Sequence, residues 1–345
     1  MREIGSEFWK EADRVDDRHM ELKDGDRALL LSGRGAIEFM IQDMKKEGTF
    51  QSILLPLYCC DSMIEPFQRN GVKVEFYHVG QDHLEYRFPN TCDAVLVIDY
   101  FGYKNKGMEE IAEKEKKAGK TIIYDATHKI NGHPEIERYA DYFFCSYRKW
   151  FYCNYAVLRK YKGKFAVPKP VLYFKEYCSL REKAASLKAL YMKGMDIDKK
   201  EFLHLFERAE KMLEENDKGY VGEEILPDLD KMLAKRRENA AYLIEKLKGL
   251  PEIRVWSATL EENDAPLFVP IMVQAGIRDK LRKHLIENNI FCPVHWPVSP
   301  LHAMGDMSND LFQVELSLIC DQRYCLEDME KEFQVIKSFY GECGV

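Results

Sequence analysis

The sequence predicts an α/β protein: a large domain with a mixed, mostly parallel sheet covered by helices on both faces, then a small C-terminal α+β domain. Three observations carry this. From residue 28, short apolar runs alternate with segments of helical period. The runs are apolar on both faces, as buried parallel strands require. Near residue 253 a second strand and helix pattern begins. The 345 residues fit about two domains at one per roughly 150. The expected division is a polar arm over 1–27, a large domain over 28–235 and a small domain over 236–345.

Each element has its own local cause. ALLL (28–31) is a buried strand, and Ile37, Met40, Ile41 and Met44 give the next segment one apolar helical face. ILLP (53–56) is a strand, and Asp61 can cap the helix that follows it. Asn70-Gly71 turns the chain into VKVEFYHV (72–79). DAVLVIDYF (93–101), TIIYDATH (121–128) and DYFFCS (141–146) are further strands, with a helix over 108–118. Residues 171–249 read as mostly helical, and the charged stretch 196–217 reads as a solvated helix. Strands follow at 253–256, 267–273, 290–294 and 313–318, with helices at 278–287 and 327–339. Pro266 and Pro270 predict a sheet edge for the second of these strands.

Composition narrows the function. Apolar residues make up 46% and charged residues 32%, an ordinary globular balance. A net charge of −7 argues against a general nucleic-acid binder, which needs a basic surface. No apolar run approaches the roughly 20 residues that span a bilayer. The first twenty residues are charged throughout, with no secretory pattern. The ten cysteines are scattered without a Cys-x-x-Cys pair, so the expectation is a reducing cytoplasm and no membrane partner.

In sheets of this kind ligands sit beyond the C-terminal strand ends. Three such ends carry chemistry. LLLSGRGAIEF (29–39) runs from strand through a Gly-containing turn to a helix start, where free N–H groups and the dipole suit a phosphate. Its ordinary alternative is a tight turn. TIIYDATH puts Asp125 directly after a buried strand, where a carboxylate needs a partner, and His128 three residues on. A helix cap or an ion pair is the alternative for Asp125, a structural role that for His128. DYFFCSYRKWF puts Ser146, Arg148 and Lys149 after a very apolar strand. A desolvated Lys there would be a nucleophilic amine; the alternative is a Lys reaching past Trp150 into water. Phosphate cradle, buried carboxylate and reactive amine together suit pyridoxal 5′-phosphate (PLP), which brings a phosphate, a pyridine nitrogen and an aldehyde.

The segments SGR–AIEF, LPLYCCDSMI, GVKVEFYHV, IIYDATH, DYFFCSYRKW and CPVHWPVSPLH, in this order, resemble the DegT/DnrJ/EryC1/StrS family of PLP-dependent aminotransferases. The resemblance implies fold type I. It implies that Gly33, Arg34 and Ser146 hold the cofactor phosphate, that Asp125 pairs with the pyridine nitrogen, and that Lys149 forms the internal aldimine and shuttles a proton. His128 belongs to the same motif. The family stacks an aromatic ring on the cofactor; Tyr58 is the nearest aromatic candidate here, while Cys60 stands at the aligned position. Arg34 stands where members usually carry Thr, and Asn154 and Tyr155 stand where a Gly-Gly pair is usual.

The substrate side is expected to use His295 and His302 from the small-domain loop, with no metal. Arg323 or Arg148 is expected to bind a carboxylate. The activity expected is transfer of an amino group from glutamate to a keto or aldehydo group of a small molecule, a nucleotide-linked sugar among the candidates. The alternatives are a PLP lyase, dehydratase or desulfurase, and a PLP-binding regulator without turnover. A homodimer is expected, its partner contributing from 168–222.

Overall fold

The computed structural model describes residues 3–10, 24–48, 50–80, 92–169, 174–215, 226–302 and 311–343. Its strands in chain order are β1 (Ile4–Gly5), β2 (Asp26–Leu30), β3 (Ser52–Pro56), β4 (Lys73–Tyr77), β5 (Ala94–Ile98) and β6 (Thr121–Asp125). Then come β7 (Tyr142–Cys145), β8 (Ala156–Lys160), β9 (Arg254–Val255), β10 (Val269–Met272), β11 (Ile290–Phe291) and β12 (Glu315–Leu318).

Among the described residues the large sheet has seven strands in the order β2-β8-β7-β6-β5-β3-β4. β4, β3, β5, β6 and β7 are parallel to one another, while β8 is antiparallel to both β7 and β2. The sheet is therefore mixed and mostly parallel, as the sequence predicts. β8 was not among the expected strands; its residues follow the Lys149 turn with no apolar–polar period to mark them.

Alternation along β5 shows why the strands are apolar throughout. Val95 and Val97 pack into the cluster on one face, and Ala94 and Leu96 into the cluster on the other. Burying each such side chain contributes roughly 1.5–3 kcal/mol. The helices Gly33–Glu47 and Asp61–Arg69 cover the second face.

The smaller sheet has the order β12-β10-β9. This overturns the edge position expected for the Pro270 strand, because β10 lies in the middle. Pro270 opposes Ser317, whose N–H turns away to the Pro293 carbonyl at 3.1 Å, so no ladder bond is lost on that side. On the other side the Pro270 carbonyl accepts from the Trp256 N–H at 2.9 Å. The N-terminal arm also differs from a plain polar tail. β1 pairs in parallel with β11, and Ile4 lies in the small-sheet core.

Gly102 ties the two sheets together. The chain after β5 turns left-handed at Phe101 (φ 57°) and Gly102 (φ 89°). The Gly102 carbonyl accepts from the Ala265 N–H and the Phe101 carbonyl from the Leu267 N–H, both at 2.9 Å. A Cβ on Gly102 would lie 1.7 Å from the Ala265 carbonyl oxygen, so only glycine permits this approach. Gly102→Ala is expected to lower the melting temperature by several degrees, since left-handed strain alone costs roughly 1–2 kcal/mol. A thermal melt of the variant that overlays the parent would refute this contact.

Candidate active site

The C-terminal ends of β2, β6 and β7 open on a cavity of about 360 Å³. Its wall includes Gly33, Arg34, Asp125, His128, Ser146 and Lys149. Five segments that the sequence could only order along the chain thus border one space.

The helix Gly33–Glu47 begins at this wall. Ser32 caps it, its hydroxyl accepting from the Gly35 N–H at 3.0 Å. The N–H groups of Gly33 and Arg34 precede the first intrahelical acceptor and remain for a ligand. Gly33 adjoins Ser146: a Cβ placed on it would lie 3.6 Å from the Ser146 Cβ. The Ser146 hydroxyl makes no capping bond to its own turn. Arg34 stands 3.7 Å from the Glu65 carboxylate, and its buried Nε has no hydrogen-bond partner.

Asp125 ends β6 and is 3% exposed. Its Oδ1 accepts from the Thr127 N–H at 2.8 Å. Burial pushes its carboxyl up to about 6, against the pull of the Thr127 bonds. His128 is also buried. Its Nδ1 accepts from the Phe101 N–H at 3.1 Å, which leaves the ring proton on Nε2. Burial, reinforced by the Lys149 charge, pushes His128 down to about 3, so the ring is neutral at any working pH.

Thr127 joins the Asp125 and Lys149 segments. Its Oγ1 accepts from the Ser146 N–H at 3.2 Å, and its carbonyl accepts from the Trp150 indole at 2.8 Å. Lys149 lies on the short turn Tyr147–Lys149 between these fixed points. It is exposed at the cavity rather than desolvated as expected, although Tyr147 and Trp150 near it are buried.

Arg148, expected to bind a substrate carboxylate, is engaged by a carboxylate of the chain itself. Its Nη2 donates to Glu210, which also takes Arg181 at 3.0 Å. Arg181 in turn donates to the Asn154 side chain at 3.0 Å. Asn154, one departure from the family pattern, thus anchors a buried guanidinium. The charged segment 196–217 contains the expected helix with its charged face exposed, and Glu210, half-exposed on it, borders the cavity.

Four expected residues do not border this cavity. Tyr58 is fully buried, its hydroxyl on the His295 carbonyl and its ring against Tyr100 and Phe312. No Tyr58 face is left for a cofactor. His295 lies behind the wall, its Nδ1 2.9 Å from the Ser317 hydroxyl. His302 staples its loop to the large sheet, Nε2 on the Cys59 carbonyl at 3.0 Å. Arg323 is held by Asp321 through Nε (2.9 Å) and Nη2 (2.8 Å), and by the Ser6 and Glu7 carbonyls. Cys60 does border the cavity, its thiol 3.0 Å from the Ser62 hydroxyl. Burial pushes that thiol up.

The aromatic group on the wall that the reading missed is Trp296, stacked on His128 at 5.5 Å. It lies in the Val294–Pro297 segment, which pointed to the loop without choosing the residue. Glu7 on the wall had no sequence signal. No cluster of three or more metal-ligating side chains occurs among the described residues, and no helix there is long and apolar enough to cross a membrane.

Sheet order and strand directions are those of the fold type I PLP-dependent transferases. The model of the DegT/DnrJ/EryC1/StrS aminotransferase family matches residues 181–324. Over those residues, less than half of the chain, the sequence is similar to that family of PLP-dependent aminotransferases. Solved structures agree on the fold. PseC of Helicobacter pylori, an aminotransferase of pseudoaminic acid biosynthesis, is 13% identical, with a TM-score of 0.65 and coverage of 93% of this chain and 88% of that one. The aminotransferase TlmJ of Streptoalloteichus hindustanus is 15% identical, with a TM-score of 0.62 and coverage of 92% and 87%. NtdA of Bacillus subtilis, with bound cofactor PMP, is 16% identical, with a TM-score of 0.57 and coverage of 90% and 73%. Among curated proteins none matches the chain in sequence.

Glu315 fixes the Trp296 loop and carries a pH dependence. Its Oε2 accepts from the His295 N–H at 2.8 Å and its Oε1 from the Ser317 hydroxyl at 2.5 Å. Burial pushes its carboxyl up to about 8. Glu332, buried beside Cys292, is pushed to about 8 likewise. Between the unfolded value near 4.5 and the folded value near 8, the native state binds more protons. The stabilising contribution is therefore full below about 4.5, declines as pH rises across this window and is lost above about 8. Melting temperatures are expected to fall from pH 6 to pH 9, and Glu315→Gln to flatten part of that slope. An unchanged slope would place Glu315 outside this linkage.

Proposed function

We propose that the chain transfers an amino group from glutamate to a keto or aldehydo carbon of a small molecule, with Lys149 as the amine that holds PLP. One observation carries the reading: a helix start, a free hydroxyl, a buried carboxylate and an exposed amine border a single cavity of about 360 Å³. These groups fit PLP in charge and kind. The Gly33 and Arg34 N–H groups and the Ser146 hydroxyl suit its phosphate. Asp125, buried and bonded through one oxygen to Thr127, has capacity left for a protonated ring nitrogen. When bound, PLP supplies an electron sink for the substrate α-carbon.

The chain's own residues do the rest. Asp125 favours the protonated ring nitrogen by charge pairing. Lys149 would take the substrate α-proton and return it as general acid and base. His128 acts as a neutral spacer: it holds the Phe101 turn and presents its face to Trp296. Trp296 closes the cavity from the small-sheet side and excludes water. A nucleotide-linked sugar is the acceptor class favoured by likeness to DesI, solved in the presence of its TDP-sugar product. A homodimer belongs to the same reading. Leu190, Met195 and Leu203, within the segment expected to face a partner, are exposed apolar side chains. Sedimentation at twice the chain mass supports it, and a monomer at all concentrations rejects it.

The central test is borohydride reduction of the PLP-loaded chain, followed by peptide mapping. The adduct is expected on Lys149 and is lost in Lys149→Ala; an adduct elsewhere rejects the assignment. Loaded protein given glutamate should release 2-oxoglutarate. Asp125 adds a pH signature. Below about 6 its free carboxyl is protonated and cannot pair with the ring nitrogen. PLP affinity is expected to fall there by up to about tenfold per pH unit, and Asp125→Asn to abolish that dependence.

A further inference from the structure

A second cavity of about 380 Å³ adjoins the first. Glu7, Arg148 and Lys149 belong to both walls, so they stand where the two spaces meet. One is a carboxylate and two are cations. Arg148 gives Nη2 to Glu210. Glu7 and Lys149 are both exposed, and the side chain of neither has a hydrogen bond or ion pair among the described residues. Opposite charges are thus left open at one mouth, with the competing cation engaged elsewhere, and they attract each other.

Glu7 is not a loose surface acid. The strap 3–10 that carries it is held from two sides. From the small-sheet unit, the Tyr324 hydroxyl accepts from the Gly5 N–H at 2.8 Å. Arg323 donates to the Ser6 carbonyl at 3.2 Å and to the Glu7 carbonyl at 3.1 Å. From the helix Lys175–Met192, the buried Lys188 donates to the Ser6 hydroxyl at 3.1 Å and to the Glu7 carbonyl. Gly5 (φ 91°) and Ser6 (φ 68°) turn left-handed immediately before Glu7, a conformation that a serine rarely adopts. The Glu7 backbone is therefore fixed by two cations, while its carboxylate is left unbonded at the mouth.

The surrounding protein strips water from the Glu7 carboxyl and pushes it up. The Arg181, Arg148, Lys149 and Lys188 charges outweigh this and hold it below the usual range. Arg181 and Arg148 are both taken by Glu210, and Lys188 by the strap itself, which leaves Lys149 as the open cation of the four. The other acids of the two walls are also engaged: Asp125 by Thr127, Asp321 by Arg323, and Glu210 by its two arginines.

We infer that Glu7 is a positioning residue for Lys149: its carboxylate receives the Lys149 ammonium whenever that amine is off the cofactor and keeps it at the mouth between the two cavities. The contact follows from the charges alone, and its consequence rests on Lys149 as the cofactor amine. A lysine that accepts the substrate proton becomes an ammonium on a flexible four-carbon stem. Without a partner it can swing through the second cavity into water. Glu7, anchored through its backbone, holds that charge within reach, so the proton is kept for return to the reacting carbon.

The contact is tested on full-length protein without cofactor. Brief labelling with acetic anhydride at pH 8, read lysine by lysine by mass spectrometry, reports how readily each amine sheds its proton. Glu7→Gln is expected to speed labelling of Lys149 about threefold relative to the other lysines, the scale of one exposed ion pair. Glu7→Asp keeps the charge and is expected to stay closer to the parent rate. The other lysines in the same sample report general loosening. Equal Lys149 labelling in parent and Glu7→Gln, or a rise shared by all lysines, overturns the proposal. The consequence is read from the visible absorption of PLP-loaded protein against pH. Glu7→Gln is expected to lower its midpoint by about half a pH unit, the same threefold factor, because a carboxylate that favours the protonated nitrogen is gone. An unmoved midpoint overturns the proposal as well. Borohydride mapping decides the cofactor reading separately: an adduct away from Lys149 sinks that reading, and the labelling still judges the contact.

Discussion

The site depends on the register between two parallel strands. β6 and β7 pair Ile123 with Tyr142, Tyr124 with Phe143 and Asp125 with Phe144. Parallel strands end on the same rim, so the carboxylate that closes one and the hydroxyl that follows the other are neighbours by construction. Thr127 locks this. It accepts the Ser146 N–H on its hydroxyl and the Trp150 indole on its carbonyl. Each bond contributes on the order of 1 kcal/mol, but both lie across the same two loops, so the Lys149 turn has little freedom to drift.

The small-sheet unit supplies the next layer. Arg236 lies over the Trp150 ring at 4.6 Å and donates to the Trp150 carbonyl, which also accepts from Gln322 at 2.7 Å. The loop after β11 contributes fasteners: His302 on Cys59, and the His295 amide on Glu315. Polar groups that a linear reading assigns to a substrate are here satisfied inside the protein. Burial makes that outcome necessary, since a buried donor or acceptor left open costs about 1–3 kcal/mol. Among the described residues of that loop only Trp296 borders the cavity.

The helices Lys175–Met192 and Lys199–Glu215 build a charged third wall. Arg181 from one and Glu210 from the other meet Arg148 beside Lys149. Among the described residues this chain of alternating charge ends on Asn154, directly after the Lys149 turn. It compensates Arg148 and leaves Lys149, with no ion pair among the described residues, facing both cavities.

Local chemistry made much of this legible in the sequence. Apolar strands of both-face type, helix starts with Ser or Gly, and the Asp125, Ser146 and Lys149 spacing follow from short-range constraints on backbone and burial. These give the mixed sheet and the rim on which a ligand must sit. Short-range rules cannot say which way a long side chain turns once loops from distant segments compete for it. Arg323 meets Asp321 two residues away, Glu210 pairs with Arg148 while staying half-exposed, and Glu7 arrives from an arm with no motif. Pro270 takes a central strand because its partner's N–H points elsewhere. Those outcomes depend on which groups the packed loops bring together or on the geometry of one ladder, and only the folded chain decides them.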